Sequence, residues 1–285
     1  MRIANVNGRA TVITDDGLID IAKASNGSFS SAVDKLIPQI AKFEKWFGSV
    51  HVEPDDPTTP SQIMGSGLLG PVVESPSQIY AVGANYHDHA REMGLAVPTS
   101  PMVFAKFTSS LAGPNSPIPI PSQTTDFEAE LVVVIGRGGR MIPSEFALDY
   151  VAGYCVGQDV SERTMQMAGK TPQFSMGKSF RNFAPIGPWL TTASSVADPN
   201  NLPVRCNLNG ATMQDSSTGE MVFNVSQIVS YLSSVVELQP GDLIFTGSPS
   251  GVGQGRTPPV FLQPGDVLET SIGVLGTIRN ECVEA

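Results

Sequence analysis

The chain has 285 residues, with 17 Lys and Arg against 27 Asp and Glu, a formal net charge of -10 at neutral pH. Hydrophobic residues make up 41% and charged residues 15%, which supports a sizeable core and excludes disorder, while so acidic a balance offers no counterion release on a polyphosphate and excludes nucleic acid as an expected partner. Gly 28 and Pro 23 together favour tight turns over long helices and point to a β-rich architecture.

In chain order, Arg2 to Val6 and Ala10 to Thr14 read as a hairpin around Asn7-Gly8, whose residues tolerate the positive φ of a type I′ turn. This turn signal arrives before an apolar signal segment could form, so a cytoplasmic location is expected. A further strand is expected at Leu18 to Ile21. From Phe29 to Phe47, apolar residues recur at helical spacing, interrupted by Pro38. Pro54 to Ser61 is a polar, Pro-rich break. Residues 1–72 are therefore read as a small α/β N-terminal domain, joined to a larger domain at 73–285. In the latter, strand-like runs at Ile79–Val82, Met102–Ala105, Leu131–Ile135, Tyr150–Val156, Val204–Leu208, Leu243–Thr246 and Val267–Ile272 alternate with Gly and Pro clusters. The longest aliphatic run, Leu131–Ile135, is far short of the roughly 20 residues that span a bilayer, and no membrane contact is expected. Asn224 to Val236 reads as a helix with Asn224 or Ser226 as N-cap. Leu-Gln-Pro-Gly-Asp occurs twice, at 238–242 and 262–266, each time as a turn leading into a strand. Cys155, Cys206 and Cys282 lack the spacing of a disulfide framework or a zinc site and read as core residues.

Three segments carry chemistry. In Asp126-Phe127-Glu128-Ala129-Glu130, the period of two points all three acids to one face of a strand. That face is either the solvated side of an edge strand or, since five aliphatic residues follow, a partly buried group of like charges that needs a counterion. Carboxylates are hard ligands suited to Mg²⁺, Mn²⁺ or Ca²⁺. Asp159, at the end of another apolar run, is either a third ligand or a helix N-cap. His89 and Glu92, three apart in a short helix after Gly83, are either an exposed pair or a carboxylate-oriented imidazole base. Gly177-Lys178-Ser179 lacks the first glycine of a phosphate loop, because Pro172 stands there, and Gly251-Val252-Gly253-Gln254-Gly255-Arg256 lacks the third glycine of a dinucleotide fingerprint.

Taken in order, Asn85-Tyr86 through His89 and Glu92, the run Asp126 to Leu131, Gly153-Tyr154 with Asp159-Val160-Ser161 and Arg163, Gly177 to Phe180, Pro185 to Trp189, Asn209-Gly210, and Pro240 to Gly253 resemble the fumarylacetoacetate hydrolase family. The resemblance covers about residues 75 to 282. It implies an α+β, β-rich fold with a mixed β-roll/β-sandwich core, in a homodimer. It further implies one divalent cation, Mg²⁺ or Mn²⁺ with Ca²⁺ as a substitute, on Glu128, Glu130 and Asp159. His89 and Glu92 would be the acid/base dyad on a segment that orders over the substrate, and Lys178 would point at the ligand. Thr246 and Gly247 would hold a substrate carboxylate, with Arg163, Gln166 and Lys106 as further substrate-binding candidates.

The reaction this implies is hydrolysis of a C–C bond in a 2,4-dioxo acid such as an acylpyruvate or fumarylpyruvate, with an enolate as leaving group. Decarboxylation of oxaloacetate, isomerisation of the 2-hydroxyhepta-2,4-diene-1,7-dioate kind and hydrolysis of a diketo sugar acid share the enolate chemistry, and a non-catalytic metal-binding protein is the remaining alternative. The chain departs from the family pattern at Phe107, Gln158, Thr164, Arg181 and Ser248, residues that bear on the substrate and not on the expected ligands.

Overall fold

The computed structural model describes residues 1–92, 94 and 96–285. Its largest sheet has ten strands. Nine run in the order Leu18–Asp20, Arg9–Ile13, Arg2–Val6, Ala184–Thr192, Val151–Gln158, Ala129–Ile135, Leu243–Phe245, Ile79–Gly83, Met102–Ala105, and Leu111–Ala112 pairs in parallel with Ala184–Thr192. A five-stranded sheet, Ala211–Ser217, Pro203–Leu208, Val267–Ile272, Thr277–Glu284, Ile118–Ile120, packs over one face.

Alternation along Ala129–Ile135 sorts its side chains between two cores. Leu131, Val133 and Ile135 join Val204, Leu268 and Ile278 of the five-stranded sheet and Ile228 and Leu232 of the helix Val225–Val235. Val132 and Val134 join Val33, Leu36, Ile40 and Phe43 from the N-terminal helices. All seven residues of the strand are buried, which is why it reads as a continuous apolar run. Full burial of a Leu- or Val-sized side chain contributes roughly 1.5–3 kcal/mol, so this strand and its neighbours are a major source of the fold's stability. The chain is thus α+β and strand-rich. Among the described residues no helix is long and apolar enough to cross a membrane.

Several expected elements differ in extent. The hairpin forms with Asn7 and Gly8 at φ 51° and 76°. The helix expected over Phe29 to Phe47 begins only at Val33. The Ser31 carbonyl accepts from Ala10 N–H at 2.6 Å and the Ser30 hydroxyl accepts from Ala32 N–H at 3.1 Å, bonds that compete with a helical turn. Pro38, which has no N–H, splits the remainder into Val33–Leu36, a tight turn at Ile37–Gln39 and Ile40–Phe47. The Pro-rich break runs into a helix, Pro60–Gly65, with a capping box between Thr59 and Gln62. Asn224 is the N-cap of Val225–Val235, its side chain accepting from Gln227 N–H at 3.0 Å. Both Leu-Gln-Pro-Gly-Asp turns place glycine at positive φ, 89° at Gly241 and 92° at Gly265. In each, the Asp side chain accepts the N–H of the Gln before it, Gln239 at 2.8 Å and Gln263 at 2.7 Å.

Residues 1–72 do not stand apart from the rest. Arg2 and Ile3 pair with Thr191 and Leu190, so the N-terminal hairpin extends the main sheet, and its helices share a core with Val132, Val134 and Leu190. The partner strand, Ala184–Thr192, has no expectation behind it in the sequence, because Pro185, Gly187 and Pro188 read as loop.

Candidate active site

The site forms where two central strands end side by side. Glu130 lies on the face of its strand shared with Val132 and Val134, and Glu128 continues the alternation just before the strand begins. The adjacent strand ends at Gln158, and Asp159 N–H donates to the Glu128 carbonyl at 2.9 Å. Gln158 Oε1 in turn accepts from Glu128 N–H at 2.8 Å. These bonds converge three buried carboxylates, and Glu128, Glu130 and Asp159 each offer an oxygen within 4.8 Å of the others.

Three buried cations surround them. Lys178 Nζ donates to Glu128 Oε2 at 2.8 Å, Asp159 Oδ2 at 2.6 Å and Ser161 Oγ at 2.8 Å. Lys106 Nζ donates to Asp159 Oδ1 at 2.5 Å and to the Lys178 carbonyl. Arg163 Nη2 lies 2.7 Å from Glu128 Oε1, and its Nε and Nη2 both donate to Asp126 Oδ2. Burial opposes the charged form of Glu128, but the Lys178 ammonium and Arg163 guanidinium outweigh it and hold its pKa below the usual carboxylate range.

Glu130 is in the opposite position. Its Oε2 accepts from Gly247 N–H at 2.8 Å, and among the described residues no ammonium or guanidinium lies within ion-pair distance of it. Burial, with Asp159 and Glu128 alongside, pushes its pKa well up. An oxygen-only donor set whose third member lacks a cation fits a divalent ion of the Mg²⁺, Mn²⁺ or Ca²⁺ kind.

Facing the carboxylates, the helix His87–Glu92 carries His89, whose Nδ1 lies 3.1 Å from Glu92 Oε2. The helix is fastened to the rest of the protein by its acids. Asp88 Oδ2 accepts from the hydroxyls of Ser216 at 2.7 Å and Ser250 at 3.2 Å, and Glu92 Oε1 accepts from Gly251 N–H at 2.9 Å. Behind it, Asn85 Nδ2 donates to the Thr246 carbonyl at 2.7 Å, and Asn85 Oδ1 accepts from Phe223 N–H at 2.8 Å. Gly247 takes φ 100°, and a Cβ there would stand 2.7 Å from the Asn85 Cβ, so glycine is required at this crossing.

A cavity of about 240 Å³ opens over these groups, lined by His89, Glu128, Glu130, Arg163, Gln166 and Lys178 among others. Other expected site residues lie differently. Lys106 sits behind Asp159 and outside this lining, because its ammonium is consumed by Asp159 and the Lys178 carbonyl. Thr246 Oγ1 donates to the Leu131 carbonyl at 2.9 Å and Gly247 N–H to Glu130, so both donors expected for a substrate carboxylate have partners within the protein. Asp126 is no member of the acidic triad; it is the counter-ion of Arg163. Asp159 caps no helix, that task falling to Glu162. Sequence reasoning did not single out Met102, Phe174, Met167 or Gln254 as site residues, though they also line the cavity, since single apolar and amide residues carry no chemical signature of a site.

Comparison with known proteins agrees with this picture. The family model described as fumarylacetoacetate (FAA) hydrolase, C-terminal, matches residues 78–283. An oxaloacetate tautomerase of Xenopus laevis, described as mitochondrial, is 46% identical over 218 residues, 76% of this chain and 68% of that one. A 2,4-didehydro-3-deoxy-L-rhamnonate hydrolase of a Sphingomonas species is 45% identical over 225 residues, covering 78% of this chain and 79% of the other. The crystal structure of a maleylpyruvate hydrolase from a Sphingobium species, in complex with manganese(II) and pyruvate, matches with a TM-score of 0.77 at 27% identity over 100% of both chains. With a matching family model over most of its length and relatives this similar, the chain belongs to the fumarylacetoacetate hydrolase family.

Proposed function

We propose that the protein is a divalent-metal-dependent hydrolase that cleaves the C–C bond of a 2,4-dioxo acid. The observation that carries this reading is that His89, paired with Glu92, lines the same cavity as Glu128 and Glu130, two carboxylates of the buried group that Asp159 completes. Glu128, Glu130 and Asp159 would hold the ion, which when bound supplies Lewis-acid polarisation of the substrate's 2-oxo group. With Nδ1–H donated to Glu92, the His89 Nε2 lone pair takes the proton of a water that adds to the distal carbonyl. The bond between that carbonyl carbon and the methylene then breaks, its electron pair passes into the enolate of the departing 2-oxo acid, and His89 returns the proton to the methylene carbon. The products are one carboxylic acid and one 2-oxo acid such as pyruvate. Lys178 keeps Glu128 and Asp159 in position and adds positive potential where negative charge develops.

Similarity to an oxaloacetate tautomerase supports a second reading, in which His89 moves a proton between carbon and oxygen and no water attacks. NMR product analysis with Mg²⁺ and with chelator separates the two. Metal-dependent release of equal amounts of acetate and pyruvate from acetylpyruvate is the expected result. Metal-dependent keto–enol interconversion of oxaloacetate, with no dioxo acid cleaved, overturns hydrolysis in favour of tautomerisation.

A further inference from the structure

Resting on the reading of His89 as the base, we infer that Asp88 is its positioning residue, holding the backbone that carries the imidazole in place over the carboxylates and taking no part in the chemistry.

The helix His87–Glu92 is far shorter than the roughly 12–15 residues at which an isolated helix is even marginal in water, and Ala90 is its one buried residue. Apolar packing contributes little to its placement, so polar contacts must supply the rest. At its start, Ala90 N–H donates to the carbonyl of buried Tyr86 at 2.9 Å. Beyond that turn the helix depends on two acids. Asp88 and Glu92, four apart, share a face, where like charges repel on a free helix. Here that face meets a row of donors. Asp88 Oδ1 accepts from Ser250 N–H at 3.3 Å and from the N–H of its neighbour His89 at 2.7 Å, while Oδ2 accepts from Ser216 Oγ at 2.7 Å and Ser250 Oγ at 3.2 Å. Glu92 takes the next loop residue, accepting from Gly251 N–H at 2.9 Å. Gly255 allows so close an approach, since a Cβ there would stand 2.7 Å from the Glu92 carboxyl carbon.

The two acids have different tasks. Glu92 reaches the imidazole with its other oxygen, whereas Asp88 bonds to the backbone of His89 and lies outside the cavity lining. The loop that both acids hold continues to the carboxylates. Gly253 and Gln254 donate their N–H groups to Asp126, Asp126 pairs with Arg163, and Arg163 pairs with Glu128. Arg256 closes the loop from the other side, with Nε donating to the Gly251 carbonyl at 3.1 Å and Nη2 to the carbonyl of Met213, in the same strand as Ser216. Asp88 thus ties the helix to two elements that are themselves joined, and the span from His89 to Glu128 is defined before substrate arrives. The four groups that donate to Asp88 are neutral, so the task is one of geometry and not of charge. An Asn can do the same, because its oxygen accepts from the two N–H groups and its amide donates to the two hydroxyls once these turn round.

The test compares Asp88→Ala, Asp88→Asn, His89→Ala and the double variant Asp88→Ala/His89→Ala, all loaded with Mg²⁺, on acetylpyruvate cleavage or, if that is absent, on oxaloacetate tautomerisation. Asp88→Ala is expected to lower kcat by about 10²-fold with KM within about threefold, the cost of a misplaced catalytic group in an intact pocket. Asp88→Asn is expected to stay within about threefold of the parent in kcat, and removing Asp88 in the His89→Ala background is expected to change kcat by less than about twofold. Trypsin cleavage after the exposed Arg91 follows docking of the helix without reference to turnover. It is expected to quicken about tenfold in Asp88→Ala and to stay at the parent rate in Asp88→Asn and His89→Ala. Where Asp88→Ala does not fold, Ser216→Ala replaces it, with kcat lowered about threefold and cleavage at Arg91 quickened, and parent values of both overturn the inference. Parent-like kcat in Asp88→Ala, an Asn variant as poor as Ala, or an equal loss in the His89→Ala background also overturns it. Full turnover by His89→Ala overturns the reading of the base instead. If the parent turns over neither compound, the reading of the site falls and the trypsin rates alone decide on Asp88, equal rates in parent and Asp88→Ala counting against it.

Discussion

Arg163 grips Asp126 with Nε at 2.9 Å and Nη2 at 2.8 Å, and both nitrogens meet the same oxygen, Oδ2. The other oxygen accepts from the backbone N–H of Gly253 at 2.7 Å, and Oδ2 also accepts from Gln254 N–H at 3.0 Å. A residue that reads in the sequence as the first acid of a stripe is therefore the anchor of the loop closing one side of the cavity. Asp126→Asn keeps the shape but leaves a buried guanidinium short of charge. We expect it to lower unfolding free energy by about 3 kcal/mol in a urea titration, the low end for a broken buried pair because Glu128 still faces Arg163. A change below about 0.5 kcal/mol would show that the pair contributes little.

The triad separates metal binding from stability. Asp159→Asn removes a proposed ligand and also the charge opposite Lys106 and Lys178, so it should weaken Mg²⁺ or Mn²⁺ binding by about 10²-fold and destabilise the metal-free protein. Glu130→Gln removes a buried carboxyl whose charged form is opposed by burial and by Asp159 and Glu128 and has no cationic partner among the described residues. It should weaken metal binding similarly while raising the urea midpoint measured in chelator. Calorimetry and unfolding on both variants check this, and unchanged metal affinity in both would remove the site.

His89→Ala should keep metal affinity within a factor of about two and lower kcat on the cleaved dioxo acid by about 10²- to 10⁴-fold, the usual share of a general base. The same variant with full turnover would exclude the dyad from the reaction.

Glu162 gives a pH dependence. Burial opposes its charged form, but hydrogen bonds from Ser122, Thr124 and the N–H groups of Met165 and Thr164 outweigh it and lower its pKa. A group whose folded pKa is depressed stabilises the fold above its unfolded pKa, about 4.3, and loses that contribution as pH falls through the folded value. Glu162→Gln should therefore be less stable than the parent at pH 7, with the gap closing below about pH 4. A gap that is constant with pH, measured by urea unfolding, would assign the loss to the cap's shape and not its charge.

Local order was legible wherever one segment carries its own pattern. Asn7-Gly8 specified the hairpin, the alternation put Glu128 and Glu130 together although it counted Asp126 with them, and the i, i+3 spacing of His89 and Glu92 specified their contact. Side chains that interact within a few residues are set by backbone period alone. The strand Ala184–Thr192 was not legible, because its prolines signal a loop unless the neighbouring strands are known.

The sequence by itself determined the family and the strand-rich class, since these follow from residue order and hydrophobic period, whereas the grouping of Glu128, Glu130 and Asp159 was implied only by the family resemblance, the local pattern offering Asp126 as well and a helix N-cap at Asp159. Only the tertiary structure decided that Asp126 serves Arg163 while Glu130 has no cation, that Lys106 stands behind the site, and that Thr246 and Gly247 donate inward. It also decided that residues 1–72 extend the main sheet. The physical reason is common to all of these. Which buried charge meets which partner depends on distances of about 3 Å between residues tens to more than a hundred positions apart, and those distances are fixed by strand register and loop closure, which no local spacing encodes.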